Sequence, residues 1–458
     1  MISVVKSQVK TVYISDFGAN ANDNKSDQEA FNKAGEYINR HKGNTHLVIP
    51  GGKYIVGVLP TFSKDENIPT GAASLNDVLN LKNCNNVIIE GLDNVMIKFE
   101  DGLPFGTLPN RLNNADSAVH IGSLFRLTNC TNIKLLNFYA DGNNENFKFL
   151  KTWGVGNNAY EREHEGLFIL NCQQVTVNNV SFKGFGRDGA MILQDADKIA
   201  VKNVFFTNSS FNNNGRNGLS WCGGENIRLY NCQFNNNGKG IIVTNPASGL
   251  DIEPERNALC KKGSIIKCEF SNNAGYSVVS GYTEASDVIF DSCTITGNTN
   301  YALLCASPRF TFNNTNIAGC SLLSYDAANE RDGMYFKNCT FTDSLLRKKI
   351  FAPSYLTAIT GRYARFDKCD FRGYKIPVLY TEIKKKKAND DIENTRFTDC
   401  SFNVYFKKAS TWGQYAFLVS HSNFVNCVFK SSGYADFKRI LNDREKNVYQ
   451  QKSIFLSQ

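Results

Sequence analysis

The sequence has no apolar run approaching the roughly 20 residues that a bilayer-spanning helix needs, so it offers no helical membrane span. Dinucleotide loops, phosphate loops and haem motifs are absent, which removes the usual footholds for nucleotide and haem chemistry. No close-spaced quartet of cysteine and histidine suggests zinc. Charge of one sign is not concentrated either: the net charge of +8 is spread over 458 residues, apart from four lysines at 384–387. With no nucleic-acid motif beside it, that run reads as a solvated loop. A mild positive field still favours an acidic polymer as partner. Residues 1–10 lack the apolar core of a secretory signal.

What is present is repetition. At 458 residues the chain is too long for one ordinary compact core, and a hydrophobic content of 42% with 21% charge is that of a folded protein. Fourteen cysteines suggest a disulfide framework until their contexts are compared. Asn231-Cys232-Gln233-Phe234, Lys267-Cys268-Glu269-Phe270, Asn338-Cys339-Thr340-Phe341, Lys368-Cys369-Asp370-Phe371, Asp399-Cys400-Ser401-Phe402 and Asn426-Cys427-Val428-Phe429 share one phrase, cysteine two residues before an aromatic. A residue type that recurs at one place in each repeat stacks on itself. The expectation is a ladder of buried, unpaired thiols, with Cys232, Cys268, Cys339 and Cys369 among its rungs.

Upstream of each cysteine runs an alternating segment such as Ile227-Arg228-Leu229-Tyr230, and downstream come small polar residues. Period-two alternation means strand, and clusters such as Asn212-Asn213-Asn214-Gly215 and Asn235-Asn236-Asn237-Gly238 mean corners. Asparagine suits a corner because it tolerates left-handed backbone angles and its amide can bond its counterpart one coil away. Corners roughly 20 to 40 residues apart define a solenoid. The predicted fold is all-β, a right-handed single-stranded parallel β-helix, with residues 1–45 as a cap segment and 46–458 as the solenoid with loop insertions.

The cap carries Ser26-Asp27-Gln28-Glu29, a capping box that predicts a helix over 27–40 with Phe31, Ala34 and Ile38 on one face. A helix there shields an open solenoid edge. Val12-Tyr13-Ile14-Ser15-Asp16-Phe17-Gly18-Ala19, a polar loop, the helix and the turn Pro50-Gly51-Gly52-Lys53-Tyr54 together resemble the entry segment of the pectate lyase superfamily. The resemblance covers about 45 residues and implies the parallel β-helix. It implies no single reaction, because the superfamily includes polysaccharide lyases, hydrolases and phage tailspikes. The Asn-Thr-Asp, Asp-Asp and Gly-His-Gly phrases of polygalacturonases are missing, as is the arginine and lysine arrangement of calcium-dependent pectate lyases.

Candidate site residues come from aligning coils. His164-Glu165-Gly166, Arg187-Asp188-Gly189, Arg216-Asn217-Gly218 and Ala247-Ser248-Gly249 each precede an apolar-x-apolar strand. Glu165, Asp188 and Asn217 should therefore stack as a polar column beside a basic column of His164, Arg187 and Arg216, with rungs about 4.8 Å apart. In Leu250-Asp251-Ile252-Glu253, alternation turns Asp251 and Glu253 to one side, roughly 6.5 to 7 Å apart, a spacing that suits an inverting glycosidase. The competing readings are a solvated carboxylate pair or a calcium site. Tyr282 follows the next strand as a phenolic base or a sugar platform, and Trp153, in the long insert at 141–163, could lie over sugar rings or only cover the wall.

The expected function is cleavage of an extended, acidic polysaccharide by a glycoside hydrolase. Asp251 and Glu253 are the preferred acid/base pair, Asp188 and Glu165 the next candidates, and His164, Arg187, Arg216, Asn217, Tyr282 and Trp153 bind substrate. No cofactor other than calcium is implied. A lyase or uronate epimerase, with Tyr282 or His164 removing the C5 proton, is the second reading. A non-catalytic glycan-binding or tailspike-like protein, homotrimeric in the latter case, is the third. The substrate class suggests an extracellular or virion-associated setting.

Overall fold

The computed structural model describes all residues except 1–8, 58–76, 110–115, 120, 150–162, 196–197, 347–354, 382–394, 406–415, 432–440, 444–447 and 458. The lysine run at 384–387, Trp153 and Tyr160 lie outside the described residues. The chain forms a right-handed parallel β-helix. Its residues divide into two compact units, Met1–Ser248 with Glu255–Ala258, and Gly249–Pro254 with Leu259–Gln458.

In the first unit one wall stacks Phe125–Thr128, Leu167–Leu170, Ala190–Leu193 and Leu219–Trp221 in parallel register, with Phe125, Leu167, Ala190 and Leu219 aligned. A second wall stacks Thr131–Asp141, Gln173–Lys183, Lys202–Thr207 and Gly224–Tyr230. The second unit repeats the scheme. One of its walls includes Phe310–Asn313, Tyr335–Lys337, Arg365–Asp367, Thr395–Thr398 and Ser422–Val425. One departure from parallel pairing is the ribbon of Pro104–Pro109 with Asp116–Val119, which is antiparallel.

The Cys-x-aromatic phrase is the corner between walls. The residue before the cysteine takes a left-handed conformation, as in Asn129 (φ 53°), Asn338 (φ 53°) and Asn426 (φ 53°). In ten coils the cysteine thiol then donates to the carbonyl oxygen two residues back, at 3.2 to 3.5 Å. Ser209 and Thr315 occupy the same place in coils without the cysteine and make the same bond at 2.8 Å. The position thus selects a small side chain with one donor, which explains why thiols and hydroxyls interchange there. All fourteen cysteines are buried and none is joined in a disulfide. Asparagine amides also bond from coil to coil, Asn132 to Asn86 at 3.0 Å and Asn231 to Asn208 at 2.8 Å.

Inside, the aromatic residues stack at the rung spacing. Phe312, Phe336, Phe366, Phe397 and Phe424 form one pile with centroids 4.6, 4.8, 4.8 and 4.9 Å apart. Phe341, Phe371, Phe402 and Phe429 form another at 4.6, 4.8 and 4.8 Å. Parallel pairing imposes this spacing, and offset ring stacking tolerates it.

The expected helix spans Gln28–Arg40 and buries Phe31, Ala34 and Ile38 completely. It also covers a strand edge: the Asn39 amide donates to the Asn80 carbonyl and accepts from the Lys82 N–H, each at 2.8 Å. The capping box is a correction. Asp27 is the N-cap residue and its carboxylate does not cap the helix. It accepts instead from the N–H groups of Asn20 and Ile55, at 2.9 and 3.2 Å, tying the entry loop to the turn strand. Glu29 pairs with Lys33 on the surface at 2.7 Å. In the Asp-Phe-Gly phrase, Asp16 accepts from the Tyr13 N–H at 2.8 Å, and Gly18, at φ 102°, ends the short 3-10 turn.

Two measurements follow from the corner and the stacks. Thiol labelling of the denatured chain without reductant should count nearly all fourteen cysteines. In denaturant titrations, Cys400→Ser should cost under about 1.5 kcal/mol, while Phe366→Ala, which opens a gap in the pile, should cost about 3–5 kcal/mol.

Candidate functional site

The polar column of the first unit exists, and it is longer than the coil alignment implied. Asp77, Ser123, Glu165, Asp188 and Asn217 each stand just before a strand of the same wall, and Ser248 continues the column. They link successive coils: the Ser123 N–H donates to Asp77 Oδ1 at 2.9 Å, Ser123 Oγ to Glu165 Oε2 at 3.0 Å, the Asn217 N–H to Asp188 Oδ1 at 3.0 Å and the Ser248 N–H to Asn217 Oδ1 at 2.8 Å. Ser220 Oγ donates to Asp188 Oδ2 at 2.9 Å and accepts from the Asn217 amide at 3.0 Å. Asp77 and Ser123 escaped the alignment because valine and leucine follow them where the other coils have glycine.

The column does not face solvent. Glu165, Asp188 and Asn217 are each 0% exposed. At this corner the chain must give backbone N–H groups an acceptor where the strand ladder has not yet begun, and side chains one coil away supply it. The glycine that follows has a steric reason: a Cβ on Gly166 would sit 2.5 Å from the Gly189 carbonyl oxygen, and one on Gly189 would sit 2.8 Å from that of Gly218.

The basic residues also stack, the Arg187 N–H donating to the His164 carbonyl at 3.1 Å and the Arg216 N–H to the Arg187 carbonyl at 2.8 Å. Their side chains serve the interior. His164, expected to bind substrate, is 0% exposed and lies among Phe99, Phe105, Phe147 and Phe185, with ring centroids 4.6 to 6.3 Å away. Its Nδ1 accepts from the Gly186 N–H at 2.9 Å, so Nε2 carries the proton of a neutral ring, and burial pushes the His164 pKa down to about 3. Arg187 Nη1 donates to Glu165 Oε1 at 3.0 Å, and Arg216 approaches Asp188 at 3.9 Å.

Arg126, which the coil comparison missed, ties this network together. Its guanidinium meets Asp77 at 2.8 Å and Glu163 at 2.7 Å and lies 4.2 Å from the centre of the Phe168 ring. Burial raises the Glu165 pKa to about 7, against the pull of Arg187. A carboxyl so enclosed can hold or release a proton near neutrality, but it presents no surface to a polymer.

In the second unit the carboxylate pair is asymmetric. The strand is Leu250–Ile252, so Glu253 lies beyond its end rather than within its alternation. Asp251 is 4% exposed, which corrects the expectation that alternation turns it outward beside Glu253. Glu253 is half-buried and accepts a hydrogen bond from Tyr282 Oη at 2.7 Å. Tyr282, 40% exposed, follows the strand Val278–Ser280 as expected. Ser307, which sequence reasoning also missed, donates to the Tyr282 carbonyl at 2.6 Å and fixes that turn. Among the described residues, no three His, Cys, Asp or Glu side chains gather as a metal centre. No helix of the described chain is long and apolar enough to cross a membrane.

Residues 157–317 match the family model described as the right-handed β-helix region. No curated protein matches the chain by sequence. Among solved structures, the A-module of the mannuronan C-5 epimerase AlgE4 of Azotobacter vinelandii is similar over 97% of this chain and 99% of its own, with 13% identity and a TM-score of 0.51. The N-terminal fragment of gene product 12 of bacteriophage phi29 is similar over 97% of this chain and 70% of its own, with 13% identity and a TM-score of 0.56. The chain thus has the right-handed parallel β-helix fold. At these identities the likeness speaks to architecture alone.

The two shifted groups oppose one another in pH. His164 has a folded pKa below its ordinary value of 6.5, so its contribution to stability is full above pH 6.5 and is lost as pH falls towards 3. Glu165 has a folded pKa above its ordinary 4.5, so its contribution is full below pH 4.5 and is lost as pH rises through 7. Unfolding midpoints followed from pH 4 to 9 should therefore fall on both sides of a maximum near pH 5 to 6.5. Glu165→Gln should flatten the alkaline limb. His164→Leu should flatten the acid limb, while lowering stability by about 1–3 kcal/mol at neutral pH because the Gly186 N–H loses its acceptor.

Proposed function

We propose that this chain is a polysaccharide-acting β-helix protein that moves a proton on an extended, acidic glycan through Tyr282 and Glu253. The carrying observation is the 2.7 Å hydrogen bond from an exposed phenol to a half-buried carboxylate on a solenoid wall. The reading best supported is abstraction of the C5 proton of a uronate, by a lyase or an epimerase. Tyr282 Oη takes the C5 proton as its own passes to Glu253, so the carboxylate is the final acceptor and no free phenolate has to form. An elimination then expels the C4 oxygen, which takes a proton from water; an epimerisation takes a proton from water onto the opposite face of C5. The fold likeness to a mannuronan C-5 epimerase module and the net charge of +8 agree with a uronate polymer.

Hydrolysis is the second reading, with Glu253 as general acid or base. It is weakened by Asp251, whose burial removes the second carboxylate from the position an inverting pair requires. The proposed substrate sets the work outside cells or on a virion.

Alginate, polygalacturonate and neutral dextran should be incubated with the chain and their products compared. A lyase generates an unsaturated, ultraviolet-absorbing end, an epimerase exchanges the C5 hydrogen with deuterated water, and a hydrolase yields reducing ends alone. Tyr282→Phe and Glu253→Gln should each lower turnover by about a hundredfold or more with unchanged thermal midpoints. Full turnover in both variants would refute the assignment, and a chain that binds these polymers but alters none is a binder.

A further inference from the structure

Away from Tyr282, the second unit carries an exposed aromatic pair that the proposed reaction does not use. Tyr374 and Tyr405 stack with centroids 4.6 Å apart and planes 9° from parallel, as tightly as the buried phenylalanines. Yet they are 40% and 44% exposed, and Leu345 nearby is 53% exposed. Large apolar side chains on an outer wall lose favourable burial, so a reason for keeping them rigid and outside is needed.

The support beneath them is built with care. Asp343 is 0% exposed, and its carboxylate accepts the N–H groups of Tyr374, Lys375 and Ile376, each at 2.7 Å. Lys375 Nζ donates to the carbonyls of Ser344 and Leu346, each at 2.7 Å, which closes the turn from the other side. The Tyr405 N–H donates to the Gly373 carbonyl at 2.8 Å. Burying a carboxylate is unfavourable unless donors meet it, and here three donors come from the backbone that presents Tyr374. The aromatic pair is held before any ligand arrives, which lowers the ordering cost of binding.

Cationic and amide groups flank the pair. Arg372 and Asn403 are partners in register on Asp370–Gly373 and Ser401–Val404, and Lys430 follows Asn403 on Val428–Ser431. Asp370 holds Arg372 in place and Asn403 donates to the same carboxylate at 2.8 Å, leaving the Arg372 side chain 47% exposed. A flat apolar surface with cations beside it fits a pyranose that has one C–H-rich face and a carboxylate on its rim.

We infer that Tyr374, Tyr405, Arg372 and Lys430 form a second, non-catalytic subsite that binds uronate residues of an acidic polysaccharide. The ligand class rests on the proposed function; the site rests on the second unit alone. Affinity electrophoresis through gels containing alginate or dextran tests it, because retardation needs no turnover. The unaltered chain should be retarded by alginate and not by dextran. Tyr374→Ala with Tyr405→Ala should weaken alginate binding about tenfold, and Arg372→Gln about threefold, with thermal midpoints unchanged. Glu253→Gln should be retarded as strongly as the unaltered chain. The inference is overturned if alginate does not retard the unaltered chain, if dextran retards it equally, or if the double tyrosine variant binds as before. A chain that is retarded but leaves both alginate and polygalacturonate unchanged refutes the proposed reaction and not this subsite; turnover with undiminished binding in the double variant does the reverse.

Discussion

Closing a sharp corner once per coil, with no backbone donor or acceptor left bare inside, is the constraint on which this fold depends. A parallel ladder pairs the straight segments but cannot serve the turns between them. The chain meets this with a left-handed residue followed by a thiol or hydroxyl that bonds the carbonyl two residues back, as Cys130, Ser209 and Thr315 do. Once the corner is set, the next side chain but one points into the core at the rung spacing. The phenylalanine piles follow from the corner as much as from their own hydrophobicity.

The same constraint explains the buried polar column. Asp77, Asp188 and Asn217 carry acceptors into the interior for N–H groups one coil away, and Ser123 and Glu165 bond each other there, hydroxyl to carboxylate. Removing one partner would leave a buried donor unmet, which costs more than the bond itself contributes. Enclosure then has an electrostatic consequence, lifting the proton affinity of Glu165 and depressing that of His164, so that stability in this region is tied to pH. Perturbed proton affinity and fitness for catalysis are different properties, and here burial separates them.

Groups able to meet a large ligand are instead at wall margins, where strands end. Glu253 and Tyr282 stand just past Leu250–Ile252 and Val278–Ser280, and Tyr374 just past Asp370–Gly373. Leaving the ladder frees a side chain from strict alternation while a neighbouring turn, pinned by Ser307 or Asp343, still fixes its position. A solenoid can accumulate such sites coil by coil without disturbing its core.

The sequence by itself determined the architecture. Period-two alternation, the repeated Cys-x-Phe phrase and the asparagine corners specify stacked parallel coils, and the helix over 27–40 was legible from its apolar face. These are periodic signals, in which each repeat supports the others. The polar column was legible too, in which residues stack on which, from the glycine after Glu165, Asp188 and Asn217. Its direction was not: alternation says that neighbours differ in side, and at a corner, outside any strand, alternation no longer applies. Only the tertiary structure decided that His164 is enclosed by four phenylalanines, that Asp27 ties loops rather than capping its helix, and that Asp251 is buried while Glu253 meets Tyr282. Each of those outcomes depends on groups brought together from separate coils or loops, and a hydrogen bond between distant residues leaves no periodic trace in the chain.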